Sequence, residues 1–196
     1  MSQDEPVLAP PGAGLPAPEL MLARAGFALM RRLMRDSKVT ALFSSEGHRI
    51  MGMARSTPLH LALQPTLIKR PFCIEDSSRN WSVYMVLEHL RIVNNGVSMV
   101  LPRLCSGGGK LREVRIEDVK PEPDATPEVI GLYEASVERY LQVLRRLPDL
   151  HSEARHPHPW FGPLDAHGWH CLAAVHHWVH RRQIERILAT LGVEPL

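Results

Sequence analysis

The sequence predicts an all-α protein, a four-helix bundle (residues 19–196) behind a flexible N-terminal tail (residues 1–18). Three observations carry that expectation. Long segments repeat apolar residues at three- and four-residue spacing, no segment alternates apolar and polar residues long enough to make a convincing strand, and Pro, Gly and polar runs stand where helices should end. With 196 residues, 44% of them hydrophobic and 22% charged, the chain has the composition of one globular domain that can bury a substantial core.

The tail holds Pro6, Pro10, Pro11, Pro16 and Pro18 with Gly12 and Gly14, a composition that buries little. From Glu19 the pattern turns helical: Leu20, Ala23, Phe27, Met30 and Met34 share one side, and Arg24, Arg31 and Arg32 lie off it. Residues 37–76 break the rhythm, because Gly47, Gly52, Pro58, Pro65 and Pro71 interrupt short apolar groups; one or two short helices and a long connection are expected there. The second long helix opens at SSRNWS, with Asn80 or Ser82 as N-cap, and runs to Pro102. The third opens at Thr126, with Pro127 in the first turn, and runs to Leu147, where Pro148 stops it. Between them lie a Gly-rich turn, CSGGGK, and a polar linker. The fourth starts near Leu164 or Asp165 and runs to Leu191, capped by Gly192.

A formal net charge of +2 is too small an imbalance for a nucleic-acid partner. No apolar run approaches the ~20 residues that span a bilayer. Asp4 and Glu5 stand where a signal peptide would carry positive charge. The expectation is a cytoplasmic protein with a small-molecule substrate and neither nucleic acid nor membrane as partner. Cys73, Cys105 and Cys171 are odd in number and far apart, which indicates reduced thiols, not a disulfide framework or a metal knuckle.

The stretch HHWVHRRQIER, residues 176–186, crowds histidine and arginine together. At 100° per residue these separate into two faces. His176 and His180 fall in the apolar stripe with Trp169, Leu172, Gln183 and Ile187, whereas Arg181, Arg182 and Glu185 point mostly away. A basic recognition helix would expose its Arg and His together. On the second helix, His89 sits at the centre of an inward stripe with Met85, Val86, Val93 and Val97. A core imidazole needs hydrogen-bond partners. Three imidazoles on facing stripes are also a ready three-point ligand set that leaves one metal position open. The pattern leaves both readings standing. His170 and His177 project to the edge of the stripe and His167 to its back, as rim or surface residues. Gln183, one turn beyond His180, is placed either to orient an imidazole or, as a buried amide, to bond a backbone carbonyl.

NWSVYMVLEHL and HPWFGPLDAHGWHCLAAVHHWVHRRQIERIL resemble the DinB-like (YfiT-type) superfamily of metal-binding bundles. The resemblance rests on Trp81, Ser82 and His89, on His158, Pro159, Phe161, Gly162 and Leu164, and on His176, His180 and Gln183. It implies an up-down-down-up bundle, often a homodimer, with one divalent metal ion, zinc or nickel, on His89, His176 and His180. It also implies chemistry of a metal-activated water or thiol, of hydrolase or thiol S-transferase type, with a low-molecular-weight thiol as a further cofactor in some relatives. Gln183, His177, His158 and Phe161 are the further pocket or ligand-orienting candidates. Glu88, Tyr84, Tyr133 and Tyr140 are the general acid or base candidates, with no argument that selects one. The alternatives are a non-catalytic, stress-associated metal-binding dimer and a metal-free bundle. Dimerisation is suggested by Tyr84 and Leu87, which lie opposite His89 and need cover from a partner or from residues 37–76.

Motifs exclude other chemistries. A zincin needs Glu after the first His of the pair, where this chain has His177; a di-iron bundle needs Glu-x-x-His on two helices, and Glu88 directly precedes His89, about 100° off its face; CSGGGK lacks the GxxxxGK[ST] pattern.

Overall fold

The structure is a computed structural model that describes residues 7–147 and 149–193. Its helices are α1 (Ala17–Leu33), α2 (Asp36–Ser56), α3 (Leu59–Ala62), α4 (Val83–Cys105), α5 (Val129–Arg146) and α6 (Ala166–Thr190). Two small antiparallel pairs, β1 (Thr66–Leu67) with β2 (Asn80–Trp81) and β3 (His156–His158) with β4 (Gly162–Leu164), shape the connections. They are too short for a period-two pattern to announce them.

The bundle is α2, α4, α5 and α6, in the order α2–α6–α4–α5 around the core. The buried residues give the helix directions. One apolar cluster joins the C-terminal half of α2 (Ile50, Ala54) to the N-terminal halves of α4 (Val86, Leu90) and α5 (Tyr133) and to the C-terminal half of α6 (Ile184, Ile187). The other joins Val39 and Phe43 to Val97 and Leu101, Tyr140 and Trp169. Helices α2 and α6 therefore run one way and α4 and α5 the other, up-down-down-up. Helices α4 and α5 are parallel neighbours and cannot be joined by a tight turn, which explains the long connection 106–128 between them.

Between the two clusters lies a belt of polar side chains. Asn94 Nδ2 donates to Ser136 Oγ (3.1 Å), and buried Glu46 pairs with Arg181. His170 joins three helices. Thr40 Oγ1 donates to Asp36 O, so it accepts from His170 Nε2–H (2.9 Å), and His170 Nδ1 accepts from the Tyr140 hydroxyl (2.8 Å).

The helix starts follow the expected capping chemistry. Ser82 Oγ accepts from Met85 N–H (3.1 Å), and Asp165 Oδ1 from Gly168 N–H (2.7 Å). Gly192, at φ 75°, closes α6, and Val193 N–H donates to Leu188 O. Pro102 does not end α4, which continues to Cys105; in the last turn its missing N–H costs one bond, and Leu104 buries itself in return. Helix α5 starts at Val129, after a turn at Thr126–Pro127, and Pro148 lies outside the described residues.

The larger departure is at residues 37–76. Instead of short helices and a long connection, most of the first half is the single helix α2, a full member of the bundle. Helix α1, which the sequence suggested as a bundle helix, packs on the N-terminal end of α6 through Phe27 against Phe161 and Arg31 against Asp165. Of the tail, residues 7–16 contain neither helix nor strand and lie along residues 75–76: Ala9 N–H donates to Asp76 Oδ2, and Gly12 and Gly14 N–H to the Glu75 carboxylate. Residues 1–6 are outside the described residues. Tyr84 and Leu87 are buried by this chain's own residues, Ala62, Ile68, Val129 and Tyr133 among them, so their cover needs no second copy.

Candidate metal centre

His89 comes from the second turn of α4, and His176 and His180 from successive turns of α6, which runs antiparallel to it. The three ligand atoms lie within 4.8 Å of one another, and His89 Nε2 is 3.0 Å from His176 Nε2. Two of the imidazoles are aimed by their other nitrogen. His89 Nδ1–H donates to Val119 O (2.6 Å). His180 Nδ1–H donates to Gln183 Oε1 (2.7 Å), and Gln183 is itself fixed because its Nε2 donates to Ser78 O (2.7 Å). Each bond puts the proton on Nδ1 and leaves the Nε2 lone pair facing the cluster, the arrangement metal-binding histidines use. His176 Nδ1 is buried without a protein partner. Trp81 roofs the group, its ring 5.1 Å from that of His89 and stacked at 6.2 Å on His180.

Burial holds these imidazoles neutral. The His89 pKa is pushed down to about 4, and those of His176 and His180 fall well below the usual histidine value, by burial first and then by one another's charge. Neutral, converging nitrogen donors, two of them fixed in tautomer, fit a divalent transition ion, and no carboxylate belongs to the set.

The centre forms one end of a cavity of about 450 Å³ between α4, α6 and the connection that precedes α5. Its wall is mostly apolar: Val93, Val97 and Val100 from α4, Val175 and Val179 from α6, and Ile116 from the connection. His158 and Phe161 of the HPWFG stretch line the same cavity, with their rings 5.2 Å apart. Trp160 N–H donates to His158 Nδ1 (3.1 Å), which leaves the ring proton on Nε2, and burial lowers the His158 pKa to about 4.

His177 is not brought to the cavity. It is buried on the other side of α6 against Phe43, with Nδ1–H bonded to Ala173 O (2.9 Å). His170 and His167, expected at the rim or surface, are also buried, because α1 and α2 cover the face of α6 assumed to be free. His167 faces Asp36 Oδ1 (2.5 Å) and Arg31 O (3.0 Å) across the α1–α2 break. With Asp36 and His151 it forms a second group of convergent donor atoms, but its two ring nitrogens are already used to tie α1 and α2 to α6. None of the acid or base candidates reaches the cavity. Tyr84, Tyr133 and Tyr140 are buried in the core, where burial raises their pKa values, and Glu88 pairs with Arg91.

Residues 28–184 match the DinB superfamily across both halves of this site. The chain belongs to the DinB superfamily. A solved structure described as "TT2238, a four-helix bundle protein" is similar to this DinB superfamily chain with a TM-score of 0.56 and 22% identity, over 76% of this chain and 96% of that one. That likeness concerns the fold. Comparison with curated proteins found no match. No helix among the described residues is long and apolar enough to cross a membrane.

Proposed function

We propose that this DinB superfamily member is a metal-dependent enzyme acting on a small molecule, with one zinc or nickel ion held by His89, His176 and His180. The supporting observation is the convergence of three imidazole nitrogens at the end of an apolar cavity of small-molecule size. A divalent ion there supplies Lewis acidity that favours the deprotonated form of a water or thiol near neutral pH, the basis of hydrolase or thiol S-transferase chemistry. The chain's own residues hold the donors in place. Val119 O and Gln183 fix two ligand tautomers, Trp81 and the valines of α4 and α6 exclude bulk water, and His158 Nε2–H offers a hydrogen bond to a bound substrate. The non-catalytic alternative keeps the same ligands but has no use for the cavity.

The test is metal content by plasma mass spectrometry on untagged protein purified without chelator, beside His89→Ala and His176→Ala. About one equivalent of zinc or nickel, lost in both variants, supports the reading. No metal as purified, and no uptake of added zinc or nickel by a folded protein, overturns it.

A further inference from the structure

We infer that the cavity selects a substrate with an anionic, metal-ligating head, a carboxylate or a thiolate, on an apolar body. The inference rests on the metal reading for the head and on the cavity wall for the body.

The head follows from charge. Three neutral imidazoles leave a divalent ion with its full +2 charge, and the ligand set contains no carboxylate to offset it. In a water-poor cavity an anion beside that charge is strongly favoured. Glu75, the buried acid in the wall, is already committed to Lys120 Nζ (3.0 Å) and to the N–H groups of Gly12 and Gly14, so it is not free to serve.

The body follows from the wall. Away from the histidines the lining is aliphatic and aromatic, apart from Lys120, which buried Glu75 holds, and the solvent-exposed Arg112, Glu113, Arg115 and Asp118 of the connection. A charge within the body of a ligand would lose its hydration against that apolar wall. The cavity is of small-molecule size, and its mouth lies beside Gly96 on α4, where an added Cβ would meet nothing within 4 Å.

Calorimetric titration of the zinc-loaded protein with butanoate, hexanoate and octanoate tests the inference. Each buried methylene is worth about fourfold in affinity, so octanoate should bind on the order of 100-fold tighter than butanoate. Gly96→Leu puts a side chain into the mouth at a helical site where leucine is the better helix former, so it should cut octanoate binding at least tenfold without lowering the melting temperature or the zinc stoichiometry. Zinc binding with no dependence of carboxylate affinity on chain length overturns this inference and leaves the metal site standing. Conversely, a chain-length dependence of equal strength in metal-free protein, with no gain on adding zinc, overturns the head assignment.

Discussion

Gln183→Leu is the most direct probe of how this chain prepares its donors. The side chain is fully buried and makes two bonds, accepting from His180 Nδ1–H and donating to Ser78 O, each at 2.7 Å. Leucine fills a similar volume and makes neither. His180 then loses the acceptor that fixes its tautomer and aims its Nε2. Loss of such a partner typically lowers metal affinity 10–100-fold, about 1.4–2.7 kcal/mol. Without metal, two buried polar groups are orphaned at about 1–3 kcal/mol each, so the apoprotein should be destabilised by about 2 kcal/mol or more. Gln183→Glu separates the two roles: it keeps an acceptor for His180 and loses the donor to Ser78 O, so it should retain zinc affinity while losing stability. Competition with a chromophoric zinc chelator at pH 7.5 measures the first quantity and urea unfolding the second. A Gln183→Leu protein whose zinc affinity stays within threefold of wild type, while His180→Ala abolishes binding, would refute the idea that Gln183 aims the ligand.

Acidity should unfold the metal-free protein early. His89, His158, His170 and His177 hold their folded pKa values at about 4, through burial, against 6.5 in the ordinary state. Between those values the unfolded chain binds more protons than the folded one, so stability is complete above pH 6.5 and falls towards pH 4, by on the order of 1 kcal/mol per pH unit for each histidine. Urea midpoints at pH 7.5, 6 and 5 read this out, and a flat profile contradicts it. Glu46→Gln should destabilise by about 3 kcal/mol, the low end for a broken buried pair, because Glu185 still engages Arg181. Its urea midpoint should fall while zinc stoichiometry stays the same, and an unchanged midpoint would mean that the pair contributes nothing net.

The three converging histidines were legible because α4 and α6 carry their imidazoles in otherwise apolar stripes, where each stands out. Helix α2 was hidden, although its buried positions Val39, Phe43, Ile50 and Ala54 do keep helical spacing. Glu46 and Gly47 interrupt that stripe, and both make sense only with α5 and α6 in place: Arg181 partners Glu46, and a Cβ on Gly47 would sit 3.6–3.7 Å from Val137 and Tyr133. His167, His170 and His177 were misplaced for a related reason. Projection assumes one buried face, and α6 is packed against by α1, α2 and α4. The cavity had no sequence signal beyond HPWFG, since the 111–119 connection that walls it has no periodicity and is brought there by the long link between parallel α4 and α5.

The belt of polar residues between the two apolar clusters has a consequence for how the chain can vary. Leucine and valine stripes are nearly self-similar under a one-turn slide, so apolar packing alone sets alignment weakly. A slide of α2 or α4 by one turn would carry Glu46 away from Arg181 or Asn94 away from Ser136 and strand each in hydrocarbon. The belt acts as a ruler: Asn94 and Ser136 align α4 with α5, and Tyr140 and His170 align α5 with α6, so the level of α4's imidazole against those of α6 is set by residues that never touch the cavity. The cavity wall is correspondingly free to change, and relatives could acquire different pockets without losing the alignment of the three imidazoles.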